Sequence, residues 1–132
     1  MEQRKLNPWT WQDQYGFSQA IEVSGAERVL YCAGQTSTGE DGNTVAAGDM
    51  RAQTEKALDN LETVLRKAGL GLKNVVRLNF YVTDVDRFFG EGAQVIGERL
   101  GPACVQPSGT LLGVTRLAFP DLLIEIEATA VA

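Results

Sequence analysis

Side chains alternate along Phe17, Gln19, Ile21 and Val23 against Ser18, Ala20 and Glu22, a period of two that predicts a strand over 17–23. Ser24-Gly25-Ala26-Glu27 is turn-like and Val29 to Gln35 reads as a second strand, so the two are expected to form a hairpin. The period then lengthens. Leu58, Leu61, Leu65 and Ala68, with Val64, form a stripe at helical spacing and predict a helix over 49–68. Asp49 can cap its start, Arg66 and Lys67 suit its negative end, and Gly69 can adopt the left-handed conformation that terminates it. Val76, Leu78, Phe80 and Val82 alternate with Arg77, Asn79 and Tyr81, a half-buried strand. A second helix is expected from about Val85 to Leu100, with Phe89, Ala93, Ile96 and Leu100 as its stripe. Gly90, Gly92 and Gly97 each cost it about 1 kcal/mol relative to Ala, and Gly101-Pro102 stops it. Thr110 to Leu117 reads as a strand and Phe119-Pro120-Asp121 as a turn. The last strand, Leu122 to Val131, puts Leu122, Ile124, Ile126, Ala128 and Ala130 on one face and Leu123, Glu125, Glu127 and Thr129 on the other.

The order is β-β-α-β-α-β-β, an α+β arrangement with one mixed sheet and both helices on one face. Thr36 to Gly48 is rich in Gly, Thr and Asp, with a turn signal at Asp41-Gly42, but is too short to separate domains. A single domain over 1–132 is therefore expected. The face without helices carries Phe17 or Ala20, Tyr31, Tyr81 and Leu123 among polar groups, and 44% of the residues are hydrophobic. That face is expected to be buried in an oligomer.

The histidine count of zero excludes a Ser–His–Asp triad, a Cys–His dyad and any histidine-bearing zinc site. Acid–base chemistry must then come from carboxylates, Lys, Tyr, Cys or water. A formal charge of −5 argues against a nucleic-acid partner, since phosphate binding needs clustered cations. Cys32 and Cys104 are widely separated with no CxxC, and Met1-Glu2-Gln3-Arg4-Lys5 lacks an apolar run, so reduced thiols in the cytoplasm are expected. No apolar run approaches the roughly 20 residues of a membrane span. Gly69/Gly71 and Gly90/Gly92 neither follow a strand nor open a helix, so no phosphate loop is expected, and Asp84 and Asp86 read as caps, not metal ligands.

Gln106-Pro107-Ser108-Gly109-Thr110, followed by a short strand, a proline turn and Ile124-Glu125-Ile126-Glu127-Ala128, resembles the C-terminal signature of the Rid family, the reactive intermediate deaminases or YjgF-like proteins. Cys32-Ala33-Gly34-Gln35, Leu58-Asp59-Asn60-Leu61 and Tyr81-Val82-Thr83-Asp84 resemble further landmarks of that family. The resemblance runs from about Phe17 onward. It implies a chorismate mutase-like fold, a homotrimer and three clefts at the subunit interfaces. It also implies hydrolysis of small imines or enamines to carbonyl compounds and ammonia, with no metal and no organic cofactor. An imine is already electrophilic, so a positioned water and a carboxylate suffice.

The residue-by-residue match is partial. The family's arginine, which pairs with a substrate carboxylate, falls at Gly109, its early tyrosine at Phe17, its second-helix asparagine at Gly92 and its following cysteine at Leu111. The strand-end glycine is kept as Gly34 and the C-terminal carboxylate as Glu125. The resemblance thus makes Glu125 the catalytic candidate and places Phe17, Gly34, Gly92 and Gly109 among the substrate-binding candidates, to which the residues themselves add Thr110 and Arg116. By pattern alone Glu125 is an outward residue on an alternating strand, like Glu127. Gly109 and Thr110 could give a ligand an N–H and a hydroxyl, or simply lead a loop into a strand. Arg116 could replace the missing guanidinium or serve an ion pair; Arg77 and Asn79 are expected on the non-helix face, in interface hydrogen bonding. Trp9 and Trp11 could wall a cleft or pin the N-terminal segment. Weak activity on 2-aminoacrylate-like imino acids follows, because the lost charge-assisted pair is worth about 1.5–3 kcal/mol. Two readings stay open: an imine or enamine deaminase, and a non-catalytic small-ligand binding or sensor protein on the same trimer.

Overall fold

The computed structural model describes Met1–Ala132. Seven strands are present: β1 (Glu2–Leu6), β2 (Ala20–Ser24), β3 (Val29–Tyr31), β4 (Gln35–Thr36), β5 (Val75–Val82), β6 (Leu111–Gly113) and β7 (Ile124–Val131). Helix α1 spans Met50–Lys67; α2 (Val85–Arg87) continues through a π turn (Phe88–Gly92) into α3 (Ala93–Leu100). In the main sheet the order is β3-β7-β5-β6, with β4 also on β7. Strand β7 runs antiparallel to β3, β4 and β5, while β6 is parallel to β5 across the α2–α3 crossover, so the sheet is mixed. This is the expected α+β arrangement, a mixed sheet with its helices on one face.

The layering follows from the hydrophobic periods. Ala57, Leu58, Leu61 and Leu65 of α1 are completely buried, and meet Leu78 and Val82 of β5 and Ile124, Ile126, Ala128 and Ala130 of β7 in one core. Asp49 caps α1 by accepting from the Ala52 N–H at 2.9 Å, and Gly69 takes φ +74° just beyond its end. Asp84 caps α2 in the same way, accepting from the Arg87 N–H at 3.0 Å.

Four expectations are corrected. Strand β2 does not form a hairpin with β3; it pairs antiparallel with β1 in a separate ribbon, Glu2 opposite Ser24 and Leu6 opposite Ala20. Strand β1 is exposed at every residue, so it carries no apolar alternation by which to be recognised. The second strand is broken: from Tyr31 to Gln35 four steps oppose three on β7, a one-residue bulge that contains Ala33 and Gly34. In the second helix Phe88 is buried, packing its ring 5.8 Å from Phe80, and Phe89 faces solvent. The wider π turn sets that face. Finally, the expected strand 110–117 pairs only over Leu111–Gly113.

Candidate functional site

The alternation that buries Ile124, Ile126 and Ala128 beneath the helices turns Glu125, Glu127 and Thr129 to the opposite face of the sheet. Register supplies their neighbours. Tyr81 lies opposite Glu125, Asn79 opposite Glu127 and Arg77 opposite Thr129 on one side. On the other side Thr36 lies opposite Glu125 and Tyr31 opposite Thr129.

Glu127 anchors a network on this face. Its Oε1 accepts from Asn79 Nδ2 at 2.9 Å and from the Tyr81 hydroxyl at 3.0 Å. The Asn79 donor, then the Tyr81 donor, hold the Glu127 carboxyl below the usual glutamate range; burial opposes them, and the Arg77 charge adds a lesser lowering. Tyr81 responds in reverse: its bond to Glu127 pushes the phenol up, helped by burial and by the charges of Glu127 and Glu125. Asn79 reaches further, accepting through Oδ1 from the Thr110 N–H at 3.1 Å. One amide thus ties the carboxylate to the Gly109-Thr110 segment.

The Glu125 carboxylate, half-buried and two residues away, accepts no hydrogen bond from the chain. Its side chain lies across the backbone of Gly34 at the bulge. A Cβ at position 34 would stand 2.7 Å from the Glu125 Cδ and 2.8 Å from its Cγ. The structure therefore brings Gly34 and Glu125 together, and the glycine leaves the space that the carboxylate occupies.

The segment 108–110 runs beside β5. Leu78 N–H donates to the Ser108 carbonyl at 2.8 Å and Phe80 N–H to the Thr110 carbonyl at 2.8 Å. Gly109 is pressed against β5 so closely that a Cβ there would stand 2.9 Å from the Leu78 carbonyl carbon and nearer still to its oxygen. No side chain fits at that position without moving backbone. Thr110 offers its hydroxyl, but its N–H is already committed to Asn79.

Phe17 joins this segment from the N-terminal side. Its neighbour Ser18 donates from N–H to the Pro107 carbonyl at 3.2 Å and from Oγ to the Gln106 carbonyl at 2.6 Å. The Phe17 ring meets Trp11 edge-on, centroids 5.7 Å apart. Trp9 and Trp11 are themselves exposed and do not pin the segment. Fully buried Gln12, donating to the Trp9 carbonyl at 2.8 Å, and Asn7, accepting from the Gln19 N–H at 2.8 Å, do so instead.

Two candidates lie elsewhere. Gly92 is buried in the helical layer, where a Cβ would stand 2.9 Å from both Phe88 and the Thr54 hydroxyl; it serves the close approach of the π turn to α1. Arg116 is exposed and curls onto its own loop, donating to the Leu117 and Ala118 carbonyls at 3.2 Å each, with no ion pair and no bond to Glu125 or Glu127. Cys32 is core filler whose thiol burial pushes up, and Cys104 is exposed. The pattern of the sequence did not single out Glu127, nor the bonds by which Asn79 joins it to Thr110. The available signal was that Asn79, Tyr81 and Glu127 share one face of adjacent strands.

Known proteins similar to this chain identify its family. Residues 12–132 match the family model described as endoribonuclease L-PSP. A RutC family protein of Pyrococcus abyssi is 32% identical over 114 residues, covering 86% of this chain and 84% of the relative. The mitochondrial protein mmf2 of Schizosaccharomyces pombe is 38% identical over 114 residues, covering 86% of each. Among solved structures, YyfB of Yersinia pestis, a protein of unknown function in the conserved Rid family, superposes with a TM-score of 0.84 at 39% identity over the whole of both chains. Rv2704 of Mycobacterium tuberculosis, from the YjgF/YER057c/UK114 family, gives a TM-score of 0.67 at 31% identity, covering 99% and 100%. The chain belongs to the Rid, or YjgF-like, family. No helix in it is long and apolar enough to cross a membrane.

Proposed function

We propose that this chain, acting over 1–132 as one unit, forms a cytoplasmic homotrimer that hydrolyses a small imine or enamine in clefts between subunits, with Glu125 as the proton-handling group. The observation that carries the reading is the state of Glu125: half-buried, free of hydrogen bonds from its own chain, and lodged against a glycine that clears its space. A carboxylate so placed has its lone pairs available for water. Water oxygen bonds to the imine carbon as the C=N pair moves to nitrogen. Glu125 takes the proton from water and returns it to nitrogen, giving a carbinolamine. Transfer of the hydroxyl proton to nitrogen then breaks the C–N bond and releases a carbonyl compound and ammonia.

Subunit contact would use the face opposite the helices, where Tyr31 is 81% exposed and Leu112 48% exposed. Trimer formation at this face would also enclose Glu125, as a cleft requires. The name of the family model describes a ribonuclease, and this reading does not adopt it. The net charge is −5, and the candidate face carries two carboxylates, which repel a phosphate backbone.

A second reading, a non-catalytic binding or sensor protein, draws on Gly109. Position 109 holds no guanidinium and has no room for one. A panel of enamines and imines generated in situ, read by carbonyl and ammonia release, separates the two. Turnover of one member supports the hydrolase. Saturable binding without turnover of any member supports the binding protein.

A further inference from the structure

The β1–β2 ribbon lies over the start of β5 with a face that departs from the usual pattern of a covering strand. Antiparallel register puts Gln3 and Lys5 on the same face as Ile21 and Val23, and Arg4 and Glu22 on the other. The charges of that other face are paired, Arg4 to Glu22 at 3.0 Å. Lys5 instead turns toward the body of the chain and donates from Nζ to Gln106 Oε1 at 3.0 Å. Apolar residues at positions 3 and 5 would close this contact. Gln3 and Lys5 leave a cleft of about 170 Å³, bounded by the ribbon, by Lys73 and Val75, and by Cys104 and Gln106 after α3.

Charge distinguishes this cleft from the rest of the surface. Lys5 and Lys73 line it together, with no carboxylate. Neither is ion-paired, whereas Arg4, Arg51, Arg87 and Arg99 all are. The two stretches that form its floor, 63–83 and 100–120, contain no Asp or Glu, in a chain whose net charge is −5. Donors are in surplus as well. Lys5 has N–H groups beyond the one given to Gln106, and Gln106, its oxygen engaged by Lys5, has its amide N–H groups free. An ammonium is a point charge with rotatable donors and suits a tetrahedral oxyanion; a planar carboxylate favours the guanidinium fork.

We propose that this cleft binds a small tetrahedral oxyanion, inorganic phosphate or the phosphate group of a small monoester, between Lys5 and Lys73, with the Gln106 amide as a further donor. A phosphate carries about −1.5 to −2 charges at pH 7 and several strong acceptor oxygens, which match two unpaired ammonium groups and an amide. Lys5 belongs to the ribbon and Lys73 to the turn Leu72–Asn74 that leads into β5, so the anion bridges the two. The cleft shares no residue with the Glu125 face, and its ligand is independent of the hydrolase reading.

The test titrates inorganic phosphate into the wild-type protein, at constant ionic strength in chloride, and follows the backbone amide resonances of Lys5, Lys73 and Gln106. Saturable shifts are expected with a Kd of about 1 mM or tighter, and acetate should bind at least about tenfold more weakly. Methyl phosphate distinguishes the sources: binding as tight as that of phosphate supports a monoester, and binding of phosphate alone supports the free ion. Lys5→Gln and Lys73→Gln should each weaken phosphate about tenfold, the loss of one charge-assisted contact. Arg4→Gln, on the other face of the same ribbon, should leave the affinity unchanged. All three side chains are exposed, so the fold does not depend on them. Cys104 gives a second readout in the unaltered protein: phosphate should slow its alkylation by iodoacetamide, while Cys32 is buried and silent. The inference is overturned if phosphate shifts do not saturate, if acetate binds as tightly, if neither lysine substitution weakens binding, if Arg4→Gln weakens it equally, or if phosphate leaves Cys104 unprotected.

Discussion

Replacing Gly34 with Ala should disable the site while sparing the fold. The added Cβ would stand 2.7–2.8 Å from Glu125 Cδ and Cγ, against an unstrained carbon–carbon separation of about 3.5–4.0 Å. Glu125 must therefore retreat by about 1 Å. Nothing in the chain bonds its carboxylate, so a change of rotamer suffices, at about 0.5–1.5 kcal/mol. Gly34 is not in the left-handed region, and an alanine there also restricts the unfolded chain, contributing about 0.4–1 kcal/mol of stability. The two effects nearly cancel. Melting temperature should move by no more than a few degrees, whereas a displacement of about 1 Å in a reacting group costs about 100-fold in rate. The assay pairs thermal unfolding with turnover of an imine that the wild type hydrolyses. Full activity in Gly34→Ala would refute the reasoning, as would lost activity accompanied by a collapse in stability.

Gly109→Arg should not restore a carboxylate-binding guanidinium; overpacking against Leu78 should cost about 1–3 kcal/mol, visible as a lower melting temperature, with no gain in imino-acid turnover. Glu127 should titrate below the ordinary glutamate range by carbon-detected NMR, and Asn79→Ala should move it back up. Because its folded value is depressed, its contribution to stability is present above the unfolded pKa of about 4.3 and is lost as pH falls through the folded value, so Glu127→Gln should flatten the acid side of the stability curve. Light scattering at micromolar concentration should return three chain masses, and Tyr31→Arg on the exposed face should shift the protein toward monomer; a wild-type monomer would sink the proposed assembly.

Most of the framework could be read from period and punctuation. The stripe Leu58, Leu61, Leu65 located α1, Asp49 and Gly69 marked its ends, and the alternation in β5 and β7 assigned Asn79, Tyr81, Glu125 and Glu127 to one face. What escaped was structure with no apolar signature or with one residue out of phase. Strand β1 is polar on both sides and forms only because β2 offers it an edge, with Arg4 and Glu22 paired across the ribbon at 3.0 Å. The bulge at Ala33-Gly34 and the π turn at Phe88–Gly92 each break a period locally, and one of them shapes the place of Glu125. The resemblance pointed to Glu125 and Gly34 separately. Their contact, and the bonds joining Glu127 to Thr110 through Asn79, depend on register between strands distant in sequence.

The central claim rests on one carboxylate, and one substitution tests it. Glu125→Gln preserves the size of the side chain but cannot take a proton from water. On any imine or enamine that the wild-type protein hydrolyses, its kcat should fall about 10²–10⁴-fold, the contribution of a general acid or base, while assembly and ligand binding are maintained. An unchanged kcat on that substrate would contradict the account.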